Sequence, residues 1–227
     1  MKRALVLACA MLAAVPASAQ DLETGSLVNR RAERPAGKQS DARAVQAWHG
    51  FASCMVRKRG ESVRRLFDAT TQAEVDKLDA AFTRELECLN TQTGSHFAGG
   101  LMLIAPVDVQ RGMFAEALLD KMPRPLGLAP LARVPQYSSV WTAVSGRDRS
   151  VEEMAVCVAA INPAGIEALI ATQPESRDEL AAVRAVTPSL GTCLVANVRL
   201  TANRQSLRAA LAEALYHRAM APKAPAQ

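Results

Sequence analysis

Apolar residues recur every three or four positions along most of the chain, which is the spacing of one face of an α-helix. The stretch TQAEVDKLDAAFTRELECL, which starts at Thr71, shows this spacing most clearly. It opens with a capping box between Thr71 and Glu74, and apolar residues then follow at helical intervals. Those residues are Val75, Leu78, Phe82, Leu86 and Leu89. The pattern predicts one amphipathic helix that runs as far as Leu89.

The rest of the first half shows the same periodicity. Residues 41–58 carry apolar side chains at helical spacing, and a short helix is predicted after Gly60. The residues that this short helix turns inward are Val63, Leu66 and Phe67.

The second half restates the arrangement. A helix holds Cys157, and a second helix begins with Asn162 as its N-cap and Pro163 in its first turn. The next helix, in ESRDELAAVRAV, is predicted to stop before Pro188, because a proline inside a helix removes a hydrogen bond. A further turn then carries Cys193.

Three blocks of sequence recur in the same order in the two halves. A shift of 103 positions lays residues 51–69 on 154–172 without a gap, and a shift of 105 lays Cys88 on Cys193. A shift of 97 makes Arg111, Ala115, Glu116, Ala117 and Leu118 coincide with Arg208, Ala212, Glu213, Ala214 and Leu215. Matches in the same order predict a diverged tandem duplication.

Each half closes with a helix that contains Ala-Glu-Ala-Leu, and its small residues let a neighbouring helix approach closely. Its inward residues are predicted to be Phe114 and Leu118 in one half and Leu211 and Leu215 in the other. Arg111 and Arg208 fall in the first turn, where a cation opposes the helix dipole. We therefore expect each arginine to donate to carbonyls at the end of a neighbouring helix. Glu116 and Glu213, five positions further on, cannot pair with the arginine of their own helix.

The first 19 residues have the order of a secretory signal peptide. Lys2 and Arg3 precede an apolar stretch, and residues 17–19 supply the small side chains of a cleavage site. No later stretch approaches the roughly 18 apolar residues of a membrane helix. The mature chain is therefore predicted to be periplasmic or secreted and to lack a transmembrane segment.

Cleavage near Ala19 removes Cys9 and leaves four cysteines, an even number that favours disulfides in an oxidising compartment. Four cysteines allow three pairings. If each half folds as one unit, each cysteine finds its partner inside its own half. The predicted disulfides are then Cys54–Cys88 and Cys157–Cys193.

These patterns together predict an all-α fold of two diverged tandem helical units, each stapled by one disulfide and joined by an ordered proline-rich connector. The polar or Pro/Ala-rich ends are predicted to be disordered. The predicted divisions are a signal peptide at 1–19, a disordered segment at 20–40, helical unit 1 at 41–122, a connector at 123–149, helical unit 2 at 150–220 and a disordered tail at 221–227.

The pattern C…IEALIATQPES…L…LGTCL…LRAALAEALY resembles a family of uncharacterised exported proteins from alphaproteobacteria. The resemblance covers most of residues 150–219 and, more loosely, 51–122. The chain departs from the family's pattern at 57–65 and at 94–104. Because the family has no assigned activity, the resemblance implies an architecture and no site.

The sequence contains few features that indicate chemistry. His49, His96 and His217 lie in different segments, without the ligand spacing of a zinc site or a covalent haem. No Gly-x-Ser-x-Gly elbow or Walker-type loop is present. No metal or cofactor is therefore predicted, and the catalytic residues of any activity are unknown. Loss of Lys2 and Arg3 leaves 25 basic and 22 acidic residues, a mild excess that excludes a global nucleic-acid-binding character.

Two further groups of polar residues bear on chemistry. The glutamate pairs Glu85/Glu87 and Glu152/Glu153 are predicted to lie on polar helix faces. Ser95 beside His96, in the glycine-rich stretch 94–106, is the one candidate for a nucleophile and its base. It supports the alternative function, a hydrolase with its site at that loop.

Unit 1 carries a basic cluster, formed by Arg57, Lys58, Arg59, Arg64 and Arg65. The positions opposite in unit 2 hold Ala160, Ile161, Asn162, Glu167 and Ala168. One interpretation is that the acidic stretch 66–90 neutralises this cluster within the fold. The other is a surface for an anionic partner, which could be lipid headgroups, lipopolysaccharide or an acidic envelope protein. The function favoured is therefore an exported cell-envelope module with a binding or structural role.

Overall fold

The structure is a computed structural model, and it describes residues 20–24, 29–30, 42–85, 87–89, 103–134, 140–194 and 198–221. Seven α-helices hold most of these residues, so the predicted all-α fold is confirmed. In unit 1 they are α1 (Ala42–Asp68), α2 (Gln72–Phe82) and α3 (Val107–Leu119). In unit 2 they are α4 (Arg149–Ile161), α5 (Pro163–Ile170), α6 (Arg177–Cys193) and α7 (Arg204–Met220).

The first helices of the two units are interrupted at matching positions. The backbone of α1 leaves the helical region at Arg59, where φ is −131° and ψ is 31°. The residue that a shift of 103 lays on Arg59 is Asn162, and its φ of −141° and ψ of 58° separate α4 from α5. As predicted, Asn162 is the N-cap of α5, and its Oδ1 accepts a hydrogen bond from the Gly165 amide at 2.9 Å.

The predicted length of α2 is wrong. Its capping box is present, but the helix ends at Phe82, and helical geometry returns only at residues 87–89. The Thr83 amide donates a hydrogen bond to the Asp79 carbonyl, and the Glu85 amide donates to the carbonyl of Phe82, only three residues earlier, at 3.0 Å. This tighter turn redirects the chain, and the disulfide then holds Cys88 with its Cα 5.5 Å from that of Cys54.

The prediction that a helix stops before Pro188 is also wrong, because α6 continues through Pro188 to Cys193. Val186 and Leu190 lie one turn apart on either side of Pro188, and both are buried. Packing of this face stabilises the helix against the loss of one amide donor. The Thr192 hydroxyl also bonds to the carbonyl of Pro188 at 3.1 Å, within the turn that follows.

The two disulfides are those predicted, and each one staples its own helical unit. Cys54 bonds to Cys88 across 34 residues, and Cys157 bonds to Cys193 across 36 residues. The partner choice inferred from equal units is therefore confirmed.

Helices α3 and α7 pack against each other at the centre of the fold, and α1 and α4 pack on their outer sides. Almost every residue of α3 and α7 is buried, including the predicted inward residues Phe114, Leu118, Leu211 and Leu215. The two helices approach closely at Gly112, where an added Cβ would lie 2.2 Å from the Cα of Ala209. The small face predicted for these helices is thus used for their contact with each other.

Two short strand pairs accompany the helices. β1 (Gln20–Thr24) pairs in parallel with β4 (Val198–Ala202), and β2 (Asn29–Arg30) pairs antiparallel with β3 (Leu103–Ile104). Because β1 and β2 belong to the 20–40 segment, the prediction of disorder does not hold for these two stretches.

The connector lies mainly on unit 2 where the structure describes it. The Leu126 amide donates to Glu167 at 3.0 Å, and the Leu131 amide donates to the Ala160 carbonyl at 2.8 Å. Further along, Trp141 is buried and stacks on His217 of α7, with 4.1 Å between the ring centroids. The described connector is therefore ordered, as predicted.

Candidate functional site

Two ion pairs join the central helices, and in each of them an arginine of one helix bonds to a glutamate of the other. Arg111 of α3 donates from Nε and Nη2 to Oε1 of Glu213 in α7, at 2.8 and 2.5 Å. Arg208 of α7 donates from Nε and Nη2 to the two carboxylate oxygens of Glu116 in α3, at 2.8 and 2.6 Å. These four residues are the ones that coincide under the shift of 97 positions. Each unit thus supplies the arginine for the glutamate of the other.

Each arginine also caps the carbonyl end of a neighbouring helix, as predicted. Arg111 donates to the Leu66 carbonyl in the last turn of α1 at 2.9 Å. Arg208 donates to the carbonyls of Ile170 and Thr172 at the end of α5, at 3.0 and 2.9 Å. Each arginine is the fifth residue of its own helix, just past the first turn in which it was expected, and its charge lies at the favourable end of another helix.

A second cation reaches Glu213 from the residues that precede α4. Arg147 Nη1 lies 2.6 Å from Glu213 Oε2 and 3.1 Å from Glu152 Oε1, and its Nη2 donates to the Asp108 carbonyl. The prediction of a polar, solvated face is wrong for Glu152, whose exposed fraction is 1 %. Glu152 is buried because α4 packs on α7 through this face and places Arg147 beside it.

The corresponding place in unit 1 holds a histidine. A shift of 103 lays His49 on Glu152, and His49 Nδ1 lies 3.6 Å from Oε1 of Glu116. Arg208 completes this side by donating to Glu179 Oε1 at 3.0 Å. Glu179 also accepts from Gln205 at 3.2 Å.

The buried charges shift one another's titration. Burial by itself would raise the pKa of Glu213, but the charges of Arg111 and Arg147 outweigh it and hold that pKa well below its usual range. Burial raises the pKa of Glu152 against the opposing effect of Arg147. Burial likewise lowers the pKa of His49, against the attraction of the neighbouring carboxylate.

This buried network is structural. The side chains of Arg111 and Glu213 have no exposed surface, so no substrate reaches them in this arrangement. Breaking a buried pair leaves an uncompensated charge, which makes any other docking of α3 on α7 unfavourable. We therefore assign the network the role of fixing how the two units pack.

An open groove lies between the second half of α1 and α2. It consists of two cavities of about 330 and 380 Å³, which share Arg65, Lys77 and Leu78. The charged residues that line it are Arg59, Arg65, Asp68, Glu74, Lys77 and Glu85. Met55, Leu78 and Phe82 form part of its apolar surface.

Two of the groove's carboxylates are already engaged. Glu74 accepts from the amides of Thr70 and Thr71 at 3.0 and 3.2 Å, and these hydrogen bonds lower its pKa. Glu85 accepts from Nε of Arg59 at 3.2 Å. Among the described residues, neither Arg65 nor Lys77 has a carboxylate partner, and Arg65 donates to the Ser62 hydroxyl at 3.2 Å.

The structure divides the five basic residues that the sequence placed in one cluster. Lys58 pairs with Glu87 and Arg59 with Glu85, so the acidic stretch neutralises these two residues. The other three, Arg57, Arg64 and Arg65, are exposed on α1. Arg64 forms an ion pair with Glu61 one turn away, at 3.2 Å.

Lys77 is the groove residue that the sequence did not identify. It lies between Asp76 and Asp79 in a stretch that is acidic as a whole, so its own neighbourhood carried no signal of a basic site. The packing of α2 on α1 brings it to the same groove as Arg65.

The alternative site at Ser95 and His96 lies outside the described residues and stays a prediction. Within the described ranges, no group of three or more His, Cys, Asp or Glu residues is arranged to hold a metal ion. In the same ranges no single helix has the length and apolar character needed to cross a membrane, although α4 and α5, bent by 104° at their junction, meet that test as a pair.

Comparison with known proteins returned no match to any protein-family profile, curated protein or solved structure.

Proposed function

We propose that this chain is an exported cell-envelope protein whose unit 1 binds an anionic envelope component through its exposed basic residues. The main observation in support is that Arg57, Arg64 and Arg65 are all exposed on the surface of α1. The signal-peptide pattern and the two disulfides support an oxidising compartment outside the cytoplasm. The periplasm is the compartment that we propose.

We also infer that the two units arose by tandem duplication. Support comes from disulfides that span 34 and 36 residues and from helix interruptions at Arg59 and Asn162 with similar backbone angles. The exchanged pairs of Arg111 with Glu213 and Arg208 with Glu116 support it independently. Unit 2 keeps this framework without the basic residues, so the framework does not require them.

The partner that we propose is an anionic lipid surface. Each basic residue near such a surface contributes about 1 kcal/mol, so three of them give weak binding that depends strongly on salt. Attraction should fade as the Debye length falls from about 10 Å at 0.1 M salt to about 3 Å at 1 M. Lipopolysaccharide and an acidic envelope protein are the other anionic partners that the test below can reveal.

The test is sedimentation of the mature protein with vesicles that contain phosphatidylglycerol. The triple variant R57Q/R64Q/R65Q should lose binding at low salt while its thermal midpoint stays close to that of the wild type. A matched control, R149Q/R177Q/R184Q, removes three exposed arginines of unit 2 and the same net charge. Equal loss in both triple variants would refute a specific role for unit 1. Wild-type protein that ignores these vesicles but binds lipopolysaccharide would identify the other partner.

A further inference from the structure

We propose that the groove between α1 and α2 binds the phosphate headgroup of an anionic phospholipid between Arg65 and Lys77. This inference rests on the proposed function for the class of ligand, and it adds a defined site to what is otherwise a diffuse basic surface. Arg65 projects from α1 and Lys77 from α2, and both line the two cavities of the groove.

The lining holds three basic residues and three acidic ones, Asp68 among them, so an anion is favoured only beside those cations that lack a carboxylate partner. Arg59 is neutralised by Glu85, and Glu74 is held by the amides at the start of α2. Arg65 and Lys77 remain without a carboxylate partner among the described residues. A planar guanidinium and a compact ammonium on opposite walls are the two donors that proteins commonly use for phosphate oxygens.

The size and lining of the groove favour a lipid headgroup. Cavities of about 330 and 380 Å³ fall within the range of about 300–1,000 Å³ that is usual for small-molecule sites. Leu78 lines both cavities together with the two cations, and Met55 and Phe82 line the larger cavity. A phosphate attached to glycerol and acyl carbons would contact both kinds of surface.

Unit 2 has no counterpart to the two cations. Shifts of 103 and 105 lay Arg65 on Ala168 and Lys77 on Ala182. In unit 2 the Asn162 side chain donates to the Ser189 hydroxyl at 2.9 Å and so ties the start of α5 to α6. Unit 1 has Arg59 at the position of Asn162, and there the groove separates the two helices. The cations of the groove are thus not needed for the helical framework.

The test replaces the two cations with the residues of unit 2, as R65A/K77A, and compares this variant with R57Q/R64Q, whose substitutions lie outside the groove lining. The probes are monomeric dihexanoyl-phosphatidylglycerol, followed by amide chemical shifts, and phosphatidylglycerol vesicles, followed by sedimentation. We expect the monomeric lipid to shift the amides of Lys77 and Leu78 in the wild type, with affinity reduced at least about tenfold in R65A/K77A. The zwitterionic dihexanoyl-phosphatidylcholine should cause much smaller shifts. Both exchanged residues are exposed, and circular dichroism checks that the variants fold.

The results separate the site from the general surface. If R65A/K77A binds the monomeric lipid as the wild type does, the headgroup site is wrong, and vesicle binding that is lost only in R57Q/R64Q would leave the basic surface standing. If the monomeric lipid shifts the groove amides but the wild type ignores vesicles, the site stands and the proposed membrane role fails. If neither probe binds, both proposals are overturned.

Discussion

The second half of α1 in unit 1 carries Arg59, Arg64 and Arg65, whereas the matching positions of unit 2 carry Asn162, Glu167 and Ala168. The apolar residues of the same segments are buried in both units. They are Val63, Leu66 and Phe67 in unit 1 and Ile166, Leu169 and Ile170 in unit 2. The inward face is thus the same in kind, and the outward face has changed. A change confined to the outward face is what a binding surface requires, because it leaves the core intact.

The buried network differs between the units as well. Glu213 has no exposed side-chain surface and lies between Arg111 and Arg147, whereas Glu116 keeps slight exposure and has Arg208 with His49 at its side. Each glutamate therefore pairs with an arginine of the other helix, but its second neighbour differs. For Glu213 that neighbour is an arginine, which is always charged, and for Glu116 it is a histidine.

The largest effect is expected from Glu213→Gln, which removes the carboxylate that the buried guanidinium groups of Arg111 and Arg147 share. We expect this variant to lower the free energy of unfolding by about 3–5 kcal/mol, because Arg111 loses the carboxylate it pairs with, while Arg147 keeps Glu152. Glu116→Gln should lower it by less, since Arg208 keeps its ion pair with Glu179. Urea unfolding with the disulfides intact measures both values. The exposed Glu153→Gln is the control and should cost under about 1 kcal/mol. Equal losses at 213 and 116 would contradict the difference between the two glutamates.

The disulfides should contribute almost equally. Removing either one, as C54A/C88A or as C157A/C193A, should lower stability by about 3–4 kcal/mol, since each closes a loop of similar length in the unfolded chain. Urea unfolding of the two double variants tests this directly. A twofold difference between them would show that the two units do not tolerate loss of the disulfide alike.

At the contact between α3 and α7, substitution of Gly112 should cost more stability than substitution of Ala209. Gly112→Ala places a Cβ 2.2 Å from the Cα of Ala209, so we expect α3 and α7 to be forced apart at a cost of about 1–3 kcal/mol or more. Ala209→Gly should cost about 1 kcal/mol, the usual penalty for glycine inside a helix. Because backbone atoms of residue 209 make the clash, G112A/A209G should not recover the stability of the wild type. Recovery in thermal unfolding would show that only the Ala209 methyl group is responsible.

The smallest expected effect is a change in how stability depends on pH. His49 and Glu152, which occupy matching positions in the two units, should shift that dependence in opposite directions. Burial lowers the pKa of His49, so the folded state binds its proton less readily than the unfolded state does, whose ordinary pKa is about 6.5. The contribution of neutral His49 is complete above that pH and is lost as the pH falls from about 6.5 towards the lower folded pKa. His49→Gln should therefore reduce the loss of stability between pH 7.5 and pH 5.5.

Glu152 should act in the opposite direction. The pKa of Glu152 is raised in the folded state, so the folded state holds this proton more tightly than the unfolded state does. Stability should therefore rise as the pH falls from the raised folded pKa towards the ordinary pKa of about 4.5. Urea unfolding across this range, for the wild type, His49→Gln and Glu152→Gln, separates the two contributions. An unchanged pH profile in His49→Gln would show that His49 titrates alike in both states.

Much of the fold was predictable because it depends on local pattern. The helical spacing, the capping box at Thr71 and the cap at Asn162 each depend on residues a few positions apart. The disulfides were predictable for a different reason, since the hypothesis of two equal units reduced three possible pairings to the one observed. The end of α2 at Phe82 and the passage of α6 through Pro188 were not predictable, because packing and a disulfide outweighed local preference there.

The helical class, the inward residues and the cysteine partners follow from the sequence alone, as does the expectation that Arg111 and Arg208 donate to carbonyls of other helices. Which carboxylates those arginines pair with, at separations of 102 and 92 residues, depends on the tertiary structure. It likewise decided that Glu152 is buried and that Lys77 shares a groove with Arg65. Periodicity tells which face of a helix is buried, but the partner of a charge depends on how helices dock, and here that docking depends on the close approach of Gly112 to Ala209.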